Sequence, residues 1–348
     1  NCGSGSSPHL SNMTISENTS GSAGGGLYCL SNSEPTLTNV TITNNTSSGT
    51  GGGIYAENSS FTLDNVNVSD NSSTGESGQE VGGISIKNSS GDGVHIRILN
   101  SAISNNTATG GGSIGGLYVF AIDSITLANT EISGNSGASI GGMQTQQIAY
   151  NYMSNCRVVD NTGGNFGGVS CLDTRLYHSG SFQISNCTIA NNSYTYTGNG
   201  ERASQLIVER QSSVSVINSI ISTDQSPGIT LGNESTDGPA VLTVNYSLIR
   251  DGQDSINIYT DGTLNWGSGN IDSNPLFTDT ANSDYTLLSS SPAIDVGSPN
   301  AFYNDGDGSR NDMGYTGGNG FVLSATEIDF GYLGLGDNRN KTITILNM

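Results

Sequence analysis

The chain has 348 residues, with 30 acidic and only 10 basic side chains and a formal charge of −20. That balance excludes the basic stripe that nucleic acid or an anionic bilayer demands, and no run approaches the roughly 18 apolar residues of a membrane span. A hydrophobic share of 33% with 49 glycines is low for a globular enzyme and suits many short strands joined by turns.

The chain opens at Asn1-Cys2-Gly3 inside what reads as a coil and closes at Asn347-Met348 after a strand, as if both ends continue into a larger protein. The clearest early unit is Leu37-Thr-Asn39-Val-Thr-Ile42-Thr-Asn-Asn45, followed by Gly51-Gly-Gly-Ile54-Tyr55. Its first asparagine recurs at Asn12, Asn39, Asn65, Asn100, Asn129, Asn155, Asn186, Asn218 and Asn245, at spacings of 26 to 35 residues. A second asparagine follows six residues later, at Asn18, Asn45, Asn71, Asn106, Asn135, Asn161 and Asn192, with Asp224 and Asp251 closing the series. A glycine pair recurs from Gly25-Gly26 to Gly167-Gly168.

Between these marks lie four to six residues, a strand's length, and after the first asparagine the apolar residues alternate (Val40 and Ile42, Val66 and Val68). Asparagine and glycine supply the left-handed backbone that sharp bends need. One such coil cannot bury its apolar face alone, whereas a stack of about nine to ten makes a continuous core. Residues 1–266 are therefore expected to form a right-handed parallel β-helix in an all-β chain. The nine first-position asparagines are expected in one column at a bend, side chains inward, each amide bonded to the next. Cys29 and Cys171 should point inward, and Cys156 and Cys187 should stack in adjacent coils, as buried thiols or as a bridge.

Beyond residue 266 the character changes. Asn274-Pro-Leu-Phe277, Asp284-Tyr-Thr-Leu287, Ser291-Pro-Ala-Ile-Asp295 and Asp305-Gly-Asp307-Gly-Ser-Arg310-Asn-Asp312-Met-Gly314 follow in order. The final stretch, Phe321 to Leu346, alternates like two strands.

The Gly-Gly-(Ile/Leu)-Tyr and Asn-x-x-Ile-x-x-Asn strings resemble the right-handed β-helix repeats of bacterial secreted proteins, in particular those of polymorphic outer-membrane autotransporters. Residues 267–318 resemble the C-terminal capping module that follows such helices, often of the choice-of-anchor kind, with Tyr315-Thr316 where that module usually has Ala and an aromatic. A cap of this kind is expected to cover the open apolar end of the rod. Residues 319–348 resemble the first strands of an immunoglobulin-like β-sandwich. The resemblance implies a secreted or cell-surface protein, and it is specific for fold rather than function.

The strongest site signal is Asp305, Asp307, Ser309 and Asp312, where alternate oxygen-bearing side chains and two glycines suit Ca²⁺; the alternative is a turn in which Arg310 pairs with an aspartate. Tyr150, Tyr152, Arg175, Tyr177, His178, Tyr194 and Tyr196 form a weaker candidate for sugar stacking. No catalytic residue is nominated. His9, His95 and His178 are isolated, and Glu131, Asp160 and Asp173 read as solvated carboxylates rather than a hydrolytic pair. The expected role is a non-catalytic structural, display or adhesive rod of a large secreted or cell-surface bacterial protein. Its partners would be other domains of the same chain and an extracellular glycan or surface protein, with no nucleic acid. The alternative is a polysaccharide-binding or polysaccharide-cleaving β-helix.

Overall fold

In the second coil, Thr36–Thr43 is one strand bent at Asn39 (φ 56°), and Asn44 (φ 56°) turns the chain into the two-residue strand Thr46–Ser47. Gly51 (φ 69°) then leads into Ile54–Glu57, and Asn58 (φ 50°) returns the chain to the start of the next coil. Left-handed backbone at these corners is why asparagine and glycine recur there. The computed structural model describes residues 1–75, 79–89, 93–172, 181–198, 202–233 and 238–318, with backbone alone at 321–323 and 345–347.

Repetition of this coil gives three parallel sheets of sixteen, seven and nine strands. The nine-stranded sheet, from Leu27–Leu30 to Ile256–Ile258, marks about eight turns of a right-handed parallel β-helix. At ~4.8 Å per step the rod is roughly 38 Å long. Register is kept without slippage: Leu37 faces Leu63, Leu63 faces Ile98, and the column continues through Leu127, Met153 and Ile184. These side chains are buried, and one cluster runs from Cys2 to Ile256. Each buried Leu or Ile contributes about 1.5–3 kcal/mol relative to exposure.

Eight of the nine first-position asparagines occupy the left-handed bend, from Asn12 (φ 53°) to Asn218 (φ 52°); near Asn245 the bend falls on Tyr246 (φ 45°). The column therefore exists, but its side chains turn outward rather than inward. Asn12, Asn39, Asn65 and Asn100 are exposed, and Asn129, Asn155 and Asn245 are half-buried. Asn186 and Asn218 are buried. A left-handed residue at a convex corner aims its Cβ away from the core. The inward amides belong to the second column. Asn45, Asn71, Asn106, Asn135, Asn161 and Asn192 are at most 2% exposed, and each donates from Nδ2 to Oδ1 of the next at 2.8–3.0 Å until Asn192 meets Gln205 at 2.7 Å.

All five cysteines are free and buried. Cys156 and Cys187 stack as thiols, donating from Sγ to the carbonyls of Ser154 (3.1 Å) and Ser185 (3.2 Å). Burial, reinforced by the neighbouring Cys156, pushes the Cys187 thiol well up.

The C-terminal module departs most from expectation. Ile271 still bridges to Leu248, and Phe277–Asp279 pairs antiparallel with Asp284–Leu287. The module then lies against the side of the rod instead of over its end. Ala293 and Met313 pack on Ile220 and Leu248, and Tyr285 packs on Val159 and Ala190. These rod residues are the outward positions of their strands. From Val158-Val159 through Ile189-Ala190 and Ile220-Ile221 to Leu248-Ile249, successive residues are both buried, so this strip of wall has two covered faces. At the rod's C-terminal end, Leu264 and Trp266 are only partly buried against the core. Phe321–Leu323 pairs antiparallel with Ile345–Asn347; the intervening residues of the expected β-sandwich lie outside the described ones.

Candidate functional site: an asparagine-lined groove

The outer asparagine column and the strand that follows it form the two walls of a trough of about 740 Å³. Its lining includes Asn39, Asn65, Asn100 and Asn129 on one side and Thr41, Asn67, Ala102 and Glu131 on the other, with Arg157 and Tyr315 at the end nearest the C-terminal module. The amides are organised: Asn39 Nδ2 donates to Asn12 Oδ1 (3.0 Å), Asn65 to Asn39 (2.7 Å), and Asn129 to Asn100 (3.2 Å), while Asn100 donates to Asp64 (2.9 Å). An amide has two N–H donors and two acceptor lone pairs, so each keeps bonding capacity facing the trough.

The end wall is an electrostatic lock. Arg157 Nε donates to Glu131 Oε2 at 2.9 Å and its Nη2 closes on the same oxygen, while the guanidinium lies 5.4 Å from the ring centre of Tyr315. Desolvation opposes the Arg157 charge, but the bonds and charge of Glu131 outweigh it and hold the group above its ordinary range. Such a cation cannot serve as a general base. Glu131 also accepts from Ser133 Oγ (2.6 Å). Asp160, in the next coil, accepts from Tyr285 Oη (2.5 Å), Ser283 Oγ (2.8 Å) and Asn191 Nδ2 (2.6 Å). Glu131 and Asp160 both line a smaller recess with Ser283, yet each already has fixed partners. Asp173 lies outside the described residues.

Beyond Arg157 the outer column is filled by the chain itself. Asn155 Nδ2 donates to the carbonyl of Gly317 (2.8 Å), and Asn218 Oδ1 accepts from the backbone of Ser298 (2.7 Å). Gly314 N donates to the Asn218 carbonyl (2.8 Å), and Tyr315 N donates to Thr188 Oγ1 (3.2 Å). Gly314 takes a φ of 104°, a region that L side chains rarely adopt, so glycine suits this close passage of the backbone.

Residues 52–200 match the family model for a right handed beta helix region. No curated protein matches the chain. The matched span takes in most coils of the open trough and ends before the C-terminal module begins. Among the described residues no helix is long and apolar enough to cross a membrane, which says nothing of β-barrels.

The acidic loop is partly rearranged from expectation. Asp305 and Asp312 come together, but their companion is Asp295, and the three carboxylates lie within 4.8 Å of one another. Asp307 instead closes its own turn, accepting from Ser309 N (2.9 Å) and Oγ (2.7 Å), and this bonding holds it below the usual carboxylate range. Burial raises Asp305 and Asp312, helped by neighbouring carboxylates and opposed by backbone donors. Arg310 is no carboxylate partner; it donates to the carbonyls of Gly297 (2.7 Å) and Val296 (3.0 Å). Asp295 was legible as the last residue of Ser291-Pro-Ala-Ile-Asp295, but nothing local placed that string against the loop.

The tyrosines do not converge. Tyr150 and Tyr152 stand on the sixteen-stranded sheet, whereas Tyr194 belongs to the seven-stranded one. Tyr194 and Tyr196 flank Arg202, whose guanidinium is 5.9 and 5.3 Å from their ring centres. Arg175, Tyr177 and His178 lie outside the described residues.

Proposed function

We propose that this chain is a non-catalytic rod segment of a large secreted or cell-surface bacterial protein, spacing or displaying neighbouring domains. The observation that carries this reading is the commitment of the groove's ionisable groups: Glu131 is tied to Arg157 and Ser133, and Asp160 fastens Tyr285 and Ser283. A glycoside hydrolase needs one carboxyl group free to give up a proton and a second to attack or activate water. A lyase needs a base near its neutral form. The groove offers neither. Ca²⁺ enters this reading as a clip. Asp295, Asp305 and Asp312 supply hard oxygens of the type that cation takes, and an ion there would pin two segments of the C-terminal module to each other without chemistry.

The test is incubation with acidic and neutral glycans, with and without Ca²⁺, followed by chromatography for shortened or unsaturated products. No product is expected under any condition. Products that disappear in Glu131→Gln or Arg157→Ala would establish the polysaccharide-cleaving reading instead, which the open 740 Å³ trough alone favours.

A further inference from the structure

We infer that the open part of the outer asparagine column, from Asn39 to Asn129, is a docking groove for a glycine-rich polypeptide segment supplied from outside the described chain. The proposal goes beyond a passive rod, since a spacer needs no recognition surface.

Continuity with an interface already built on the same column carries the argument. At Asn155 and Asn218 the column's partners are backbone groups: the Gly317 carbonyl and the Ser298 amide. Thr188, on the neighbouring strand, takes the Tyr315 amide. Two of the three covered corner asparagines therefore bond to peptide groups. The segment that runs along them, Gly314 to Gly318, is glycine-rich because its backbone takes φ of 104° at Gly314 and 83° at Gly318, a region that L side chains rarely adopt. The same corner residue, in the same left-handed conformation, continues through Asn129, Asn100, Asn65 and Asn39 (φ 46–56°). There the rod offers the trough instead of a covered wall. Asn39 to Asn129 spans three coil steps, about 14 Å at ~4.8 Å each, which four to five extended residues cover at ~3.3 Å per residue.

The change in the facing wall fixes the chemistry of the occupant. Where the chain's own module docks, the outward wall is mostly apolar, with Ile220 and Leu248 beside Thr188 in one column and Val159 and Ala190 in the next. Along the open part the same two columns hold Thr41, Asn67 and Ala102, and Thr43, Ser69 and Ser104. The occupant thus presents small or polar side chains, and its affinity comes from backbone hydrogen bonds to the amides. A sugar polymer fits less well. Tyr315 is the one aromatic ring among the lining residues, at the far end, and Arg157, the one lining cation, is already paired with Glu131. Ring stacking and charge pairing, the usual holds on neutral and acidic glycans, are both weak here.

The experiment titrates the full chain into a fluorescein-labelled Ser-Gly-Thr-Gly-Gly-Gly peptide, glycine-rich with only small polar side chains, and follows anisotropy. Binding is expected for the wild type. The dissociation constant should rise about tenfold or more in Asn65→Leu/Asn100→Leu, which removes two amides, and in Ala102→Trp, which fills the trough from an outward position. Circular dichroism melts close to wild type verify that both variants fold, and unlabelled cellohexaose should not displace the peptide. Absence of binding up to about 1 mM, equal binding by both folded variants, or displacement by the hexasaccharide would each overturn the proposal. The first two outcomes leave the rod reading intact, because it is tested separately by glycan cleavage.

Discussion

Replacing Asn135 by leucine distinguishes the inner ladder from the outer one. Asn135 is 0% exposed, and its side chain makes four hydrogen bonds. Nδ2 donates to the Ile103 carbonyl and Asn161 Oδ1 (both 2.9 Å), and Oδ1 accepts from Asn106 N and Nδ2 (both 3.0 Å). Leucine has nearly the same volume and none of this capacity. The Asn161 acceptor keeps the Asn135 backbone N–H (2.9 Å), and the Ile103 carbonyl keeps its place in the ladder with the neighbouring strand. The groups left buried without a partner are therefore the Asn106 N–H and one Asn106 amide hydrogen. At about 1–3 kcal/mol each, the cost is on the order of 2–6 kcal/mol before relaxation. That is a large share of the stability of an ordinary domain, about 5–15 kcal/mol. Coils of a solenoid can open locally, so the loss should appear in hydrogen exchange as opening centred on the coils of Asn106, Asn135 and Asn161. The control is Asn129→Leu in the outer column, which loses one half-exposed bond to Asn100 (3.2 Å) and should cost about 1 kcal/mol or less. Equal exchange and equal melting in the two variants would refute the assignment of the load to the inner column.

Further outcomes follow from the same geometry. Gly52→Ala should disrupt stacking severely, because its Cβ would lie 2.4 Å from the carbonyl oxygens of both Gly82 and Ser72; a collapse in soluble yield or a melting drop far beyond the ~1 kcal/mol typical of substitutions checks this. Cys156 and Cys187 should both react with iodoacetamide only after denaturation without reductant, and a mass spectrum showing them linked would contradict the thiol assignment. Tyr285→Phe deletes the bond to Asp160 and should loosen the module by about 1.5–3 kcal/mol, seen as faster proteolysis between residues 267 and 318 with the coils intact. In metal-free protein the folded state binds protons at Asp305 and Asp312 more tightly than the unfolded chain does. The stability linked to them is fully present below the ordinary carboxylate value and is lost as pH rises through the raised values. The module should therefore loosen as pH rises above the ordinary carboxylate value. Ca²⁺ at a hundredfold excess over its dissociation constant should restore about 2.7 kcal/mol, and a melting curve insensitive to both chelator and Asp295→Asn would eliminate the clip.

The sequence alone determined the coil. Asparagine and glycine at fixed corners, alternate apolar residues between them and a repeat of 26 to 35 residues are local signals, and each names a backbone conformation or a buried face. The inward direction of Cys29 and Cys171 was equally local. Which asparagine column faces the core was not, because both columns are asparagine throughout the regular coils and only the handedness of each corner separates them. A hint lay one residue upstream of the inner column. There Asn44, Asp70, Asn105, Gly134, Asp160 and Asn191 vary among residues that tolerate a left-handed bend, while the inner position itself keeps an amide. The tertiary structure alone decided the lateral seat of the C-terminal module, the union of Asp295 with Asp305 and Asp312, and the lock between Glu131 and Arg157. These contacts join residues 7 to 162 positions apart in the chain. The apolar wall strip from Val159 to Leu248 announces a second covered face, but not what covers it. Strand periodicity reports how much of a residue is hidden; only the folded chain brings its partner into place.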